Sequence, residues 1–193
     1  AELPEMRSIS TERPGWAVTG AKGRPHNVIT SLFLGAEQLE ALNLDLQDKL
    51  LQIQQAGEIR YEEVSLEGAE VIIIAFGTSA RVAQTAVKRM REAGLPVGLF
   101  RPISLWPFPE KEIAELPKRI PTLKAIQVVE MNAGQMLHDV REAIAGQVPV
   151  HFMGRMGGII PVPEEVEEKV RLTLKPAQMP ATTKESSNGR VAH

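Results

Sequence analysis

Val71-Ile72-Ile73-Ile74-Ala75-Phe76, followed at once by Gly77-Thr78-Ser79-Ala80-Arg81, decides the fold class. A continuous apolar run rich in β-branched residues and bounded by glycine reads as a strand buried on both faces, as in a parallel sheet. Such a strand needs a crossover, usually a helix. The sequence supplies one: Ala80 to Glu92 places Val82, Ala83, Ala86, Val87 and Met90 on one stripe. Gly77 allows a tight turn, and Thr78 or Ser79 is the expected cap. Gly94 closes the helix and Pro96 opens the next strand. The unit is βαβ, and the expected class is α/β.

Working outward, Leu95 to Phe100 reads as a second buried strand and Leu123 to Glu130 as a third, with Val148 to Met153 as the last. Ile59 to Leu66 alternates imperfectly and reads as a half-polar edge strand. Helices are expected over Glu110 to Leu116, stopped before Pro117, over Gln135 to Ala145, and from Pro163 to about Leu174. Ser31 to Ile59 is the longest helical candidate. Its Leu39, Leu42, Leu46, Leu50 and Ile53 recur at intervals of 3, 4, 4 and 3. That period predicts a packed amphipathic helix, or a seam for a partner helix. Residues 1–25 read as an extended arm or linker carrying Trp16, residues 26–175 as the folded domain including that helix, and residues 176–193 as a flexible tail.

The chain has 193 residues, 43% hydrophobic and 24% charged, with net charge −2. That is ordinary globular composition, and no basic excess favours nucleic acid or an anionic membrane. No apolar run is long enough to span a bilayer, and no signal peptide opens the chain, so a cytoplasmic protein is expected. Cysteine is absent, which excludes disulfides, thiolate catalysis and a cysteine-ligated cluster on this chain. The histidines, His26, His138, His151 and His193, lie far apart, so no metal site is expected.

No nucleophile elbow, P-loop or G-x-G-x-x-G stretch occurs, and no catalytic residue is assigned. Glu62-Glu63 and the acidic Glu164 to Glu168 read as solvated faces. Three loops remain, each at the carboxyl end of an expected strand, where open α/β sheets place function. Gly77, Thr78, Ser79 and Arg81 offer amides, hydroxyls and a cation to an anion, or simply cap a helix. Arg101 to Pro109, stiffened by Pro102, Pro107 and Pro109, presents Trp106 and Phe108 as anchors for a partner or as a lid on the sheet. Glu130, Asn132 and Gln135 place a carboxylate and two amides at a crevice, or form a turn with Asn132 capping the next helix.

Five motifs occur in order: Tyr61-Glu62-Glu63; Phe76 to Arg81; Arg101-Pro102 with Leu105-Trp106-Pro107-Phe108-Pro109; Val129 to Met136; and Gly154-Arg155 with Gly157-Gly158. Over about Trp16 to Leu174 they resemble the C-terminal domain of the alpha subunit of 2-oxoacid:ferredoxin oxidoreductases, of the branched-chain (2-oxoisovalerate) and 2-oxoglutarate types. The resemblance implies a transketolase C-terminal-like fold: three α/β/α layers around a mostly parallel five-stranded sheet, Ile59–Leu66 being the antiparallel edge strand. It implies oxidative decarboxylation of a 2-oxo acid with coenzyme A, giving acyl-CoA, carbon dioxide and reduced ferredoxin. It implies thiamine diphosphate, magnesium and [4Fe–4S] clusters in a complex with a thiamine-binding beta subunit, a gamma subunit and a ferredoxin-like delta subunit.

The family's pyrimidine-gripping domain has no room before Trp16. Its Gly-Asp-Gly diphosphate signature and its cluster cysteines do not occur here. The resemblance therefore carries no catalytic, cofactor or metal residue onto this chain. The expectation is the scaffolding part of a subunit, trimmed or naturally split, without turnover alone. Two other readings stand beside it: a stand-alone anion- or coenzyme-binding module, and the matching domain of a transketolase or of a 2-oxo acid dehydrogenase E1 component.

Overall fold

Alternation along β2 (Val71–Ala75) divides one core into two. Ile72 and Ile74 face one side of the sheet, and Val71, Ile73 and Ala75 face the other. Each side chain is fully buried, so each isoleucine contributes roughly 1.5–3 kcal/mol of transfer free energy. A strand covered on both faces is what a continuous apolar run requires.

The structure is a computed structural model that describes residues 8, 10–13, 15–17, 20, 22–26, 28 and 30–174. The remaining elements are α1 (Ala36–Gln55), β1 (Tyr61–Val64), α2 (Gly77–Glu92), β3 (Val97–Pro102), α3 (Glu110–Arg119), β4 (Ala125–Glu130), α4 (Met136–Ile144), β5 (Val150–Gly154) and α5 (Pro163–Leu174). The sheet has five strands in the order β1-β3-β2-β4-β5. β1 runs antiparallel to β3, and the other pairings are parallel. Helices α3 and α4 supply Ile113, Leu116, Val140 and Ile144 to the core on one face. Helices α2 and α5 supply Ala83, Ala86, Met90, Val166 and Val170 on the other. This is the expected three-layer arrangement, with the half-polar segment as its antiparallel edge.

The edge strand is held by pairs that the solvated-face reading of Glu62-Glu63 missed. Tyr61 stacks on Phe100 with ring centroids 5.0 Å apart. Glu62 accepts from Arg101 at 2.9 Å, and Glu63 accepts both guanidinium nitrogens of Arg119 at 2.8 Å. A bidentate arginine pair at a strand edge fixes geometry as well as charge.

Two expectations fail. The helix expected to stop before Pro117 continues through it to Arg119. Buried Ile113 and Leu116 hold it to the core, and the Ile120 amide donates to the Leu116 carbonyl at 2.9 Å past the proline. The proline sits in the last turn, where its missing N–H costs one bond rather than a helix. The second concerns α1, which begins later and ends sooner than Ser31 to Ile59. Of the two readings of its stripe, packing within the chain and a seam for a partner helix, the first is not met: none of its residues is buried, and Leu46 is 45% exposed. Periodicity predicted the helix correctly but not its cover.

The chain divides into two units, residues 1–50 and 51–193, and the sheet belongs wholly to the second. In the first, Trp16 stands exposed. The expected tail at residues 176–193 and, of the expected arm, residues 1–7, 9, 14, 18, 19 and 21 lie outside the described residues. No helix among the described residues is long and apolar enough to cross a membrane.

Candidate functional site

Strand order positions the site. From β2 the chain leaves through α2 toward β3; from β4 it leaves through α4 toward β5, on the opposite side of the sheet. β2 and β4 are parallel neighbours, so a crevice opens between their carboxyl ends. A cavity of about 270 Å3 lies there, lined by Phe76, Gly77, Thr78 and Ser79 from the first loop and Met131 and Asn132 from the second. Two of the loops singled out by sequence are thus brought together.

The helix end at this cavity differs from expectation. Neither Thr78 nor Ser79 caps it. The helix begins at Gly77, and the cap position is Phe76, whose side chain accepts nothing. Gly77 has φ +55°, in the left-handed region that favours glycine. The first intrahelical bond runs from the Ala80 amide to the Phe76 carbonyl at 3.2 Å. The amides of Gly77, Thr78 and Ser79 precede it and are the donors a helix start leaves over. Ser79 is only 3% exposed. Arg81 is exposed and does not line the cavity.

The second loop is built around a buried carboxylate. Glu130 ends β4 with 0% exposure. Its Oε2 accepts the Met136 amide at 2.9 Å and Asn132 Nδ2 at 3.0 Å, and its Oε1 accepts the Leu137 amide at 3.0 Å. Asn132 Oδ1 accepts the amides of Gly134 and Gln135 at 2.7 and 2.9 Å. A carboxylate at a helix N-terminus meets both the free amides and the positive end of the dipole, which is how this charge is buried without an arginine. Asn132 serves the turn as expected, while Glu130 takes the first amides of α4. Gln135 occupies the cap position and is exposed, so it does not join a carboxylate–amide cluster.

The β5 end closes against the same loop. A Cβ at Gly154 would meet the Asn132 carbonyl oxygen at 2.5 Å, so only glycine allows this approach. The next residue, Arg155, pairs with Glu165 at the start of α5, and its amide donates to the Glu130 carbonyl at 3.0 Å. The hydrogen bond from Arg155 holds the Glu165 carboxyl below the usual range, reinforced by the Val162 amide. Arg89 does the same to Glu164. These two acids are therefore paired, not simply solvated.

The aromatic pair expected to act together separates. Trp106 stands 51% exposed beside a cis peptide bond to Pro107. Phe108 is half-buried and packs against the core cluster that holds residues of α3 and α4, as the lid reading expects of it.

The residues present do not fit the metal groups that the resemblance implies. With no cysteine, the chain offers no thiolate to an iron–sulfur cluster. Among the described residues, no three His, Cys, Asp or Glu side chains come together to hold a metal ion.

Comparison with known proteins places this geometry. Residues 69–166 match the family model described as pyruvate:ferredoxin oxidoreductase core domain II. The ketoisovalerate oxidoreductase subunit VorB of Methanothermobacter marburgensis is 40% identical over 169 residues, covering 88% of this chain and 47% of that protein. The 2-oxoglutarate synthase subunit KorA of Methanothermobacter thermautotrophicus is 37% identical over 119 residues, covering 62% of this chain and 31% of its own. The chain therefore spans about half the length, or less, of the curated relatives it matches. A 2-oxoglutarate:ferredoxin oxidoreductase from Magnetococcus marinus, solved with 2-oxoglutarate, coenzyme A and succinyl-CoA bound, shares the fold at TM-score 0.64 and 24% identity, over 82% of this chain and 28% of that one. The match spans the central strand, the switch-point crevice and the buried Glu130 turn, and this chain belongs to the pyruvate:ferredoxin oxidoreductase core domain II family.

Proposed function

We propose that this chain is the assembly part of the alpha subunit of a 2-oxoacid:ferredoxin oxidoreductase of the branched-chain or 2-oxoglutarate type. In this reading, residues 26–175 form the assembly domain, residues 1–25 an arm and residues 176–193 a tail. The complex, located in the cytoplasm, converts a 2-oxo acid, coenzyme A and oxidised ferredoxin to acyl-CoA, carbon dioxide and reduced ferredoxin. Thiamine diphosphate, magnesium and [4Fe–4S] clusters sit on the beta, gamma and delta subunits and on the rest of the alpha subunit. This chain alone has no turnover.

One observation carries the reading. The parallel strands end along one edge of the sheet, and the loops there hold large apolar side chains in solvent: Ile103 and Trp106 after β3, Met131 after β4, and Met156, Ile159 and Ile160 after β5. Scattered exposed apolar residues are ordinary, but a set gathered at one edge marks a surface meant to be covered. An exposed tryptophan among aliphatic side chains is the composition of an interface centre. That edge is where we place the docking of the cofactor-bearing parts.

The test is co-purification. The tagged chain, co-expressed with the beta, gamma and delta subunits of such an enzyme, is expected to carry them through affinity and size-exclusion steps. Trp106→Asp combined with Ile160→Asp is expected to lose them while keeping the native far-UV spectrum. Failure of the unaltered chain to retain any of them, or 2-oxo acid-dependent dye reduction by the chain alone with added cofactors, would overturn the proposal.

A further inference from the structure

We infer that the switch-point cavity beneath α2 is a binding site for a phosphate group. Three amides, those of Gly77, Thr78 and Ser79, come before the first bonded turn of a helix 16 residues long. Among the described residues, no side chain caps them. A helix of this length brings the full partial positive charge of its dipole to that end.

The second observation is independent of the helix. Ser79 is 97% buried by its 3% exposure, its hydroxyl makes no hydrogen bond to any described residue, and the residue lines the cavity. The hydroxyl oxygen is not among the fully enclosed unpartnered side-chain atoms, so the little surface that Ser79 keeps includes its hydroxyl. A ligand oxygen in the cavity can pair with that hydroxyl in place of water. Asn132 lines the opposite wall and retains one Nδ2 hydrogen after donating the other to Glu130.

The nearest buried negative charge does not oppose this. The Glu130 carboxylate is already met by the amides of Met136 and Leu137 and by Asn132, and it does not line the cavity. The two helix starts at the crevice thus divide the work: α4 receives a carboxylate from the chain itself, and α2 is left open. Several donors converging from one helix turn suit a tetrahedral oxyanion with three free oxygens better than a planar carboxylate. The assignment does not depend on the assembly reading, because the site lies within residues 51–193 and is read on the chain alone.

The experiment is a titration of the 15N-labelled 193-residue chain with inorganic phosphate, followed by amide shifts. Saturable shifts confined to Gly77, Thr78, Ser79 and Asn132 are expected at millimolar phosphate. Acetate is the control for a carboxylate ligand and is expected to bind at least tenfold more weakly. Ser79→Ala is expected to weaken phosphate roughly tenfold, the loss of one hydrogen bond to a charged group. Thr78→Asp places a carboxylate at the helix start and is expected to abolish the shifts while raising Tm, so a folded variant reports even if Ser79→Ala is unstable. Absence of saturable shifts at these amides, equal binding of acetate, or unchanged shifts in Thr78→Asp would overturn the inference.

Discussion

The carboxylate of Glu130 accepts the backbone amide of Leu137 at 3.0 Å, joining the end of β4 to the first turn of α4 inside the core. Its other oxygen accepts from Met136 and Asn132. Removing the acceptor leaves buried donors that water does not reach. Glu130→Ala is expected to destabilise the chain by about 3 kcal/mol or more, and Glu130→Gln by less, because the amide oxygen still accepts. Urea denaturation checks this, with a lower midpoint and an unchanged slope. A loss below about 0.5 kcal/mol for Glu130→Ala would show that the carboxylate is not the cap.

Gly154→Ala is expected to cost roughly 1–3 kcal/mol, the range for forcing atoms into a filled space. The new Cβ would lie 2.5 Å from the Asn132 carbonyl oxygen, which is backbone and does not rotate away. Thermal unfolding checks the magnitude, and amide shifts at Met131 and Asn132 check the location. An unchanged Tm would refute the close approach.

The Arg155–Glu165 pair predicts an acid-sensitive step. Arg155 holds the Glu165 carboxyl below its unfolded value, so the pair contributes stability above the ordinary carboxylate range near pH 4.3. That contribution is lost as pH falls through the lowered folded value. Glu165→Gln is expected to lower Tm at pH 7 and to converge with the unaltered chain near pH 3. Parallel Tm curves across that range would exclude the pair as the cause.

Helix α1 and strand β2 respond oppositely to truncation. Leu46→Ala, on a helix without a buried residue, is expected to change stability by less than about 0.5 kcal/mol. Ile73→Ala, fully buried between α2 and α5, is expected to cost about 2–5 kcal/mol. Denaturant midpoints of the two variants decide it. A large loss at Leu46 would mean that the leucine stripe is covered in the folded chain.

The apolar run from Val71 to Ala75, the glycine after it and the striped helix beyond were readable because burial on both faces leaves no place for polar residues. The half-polar character of Tyr61–Val64 was readable for the same reason, since an edge strand has one open side. Pro117 misled because the rule against proline concerns the helix interior, and packing at Ile113 and Leu116 decided where the interior ended.

By itself, the chain's order of residues determined the sheet, its crossovers and which loops stand at the carboxyl ends of the strands, because side-chain period and turn chemistry are local. Only the tertiary structure decided that Glu130 is buried, that Phe76 leaves α2 uncapped, that Ser79 lines a cavity with Asn132, and that no residue of α1 is buried. Each of those depends on what a distant part of the backbone places beside the residue. Glu130 meets amides six and seven positions on only when β4 ends beneath α4, and no pattern along the chain states that meeting.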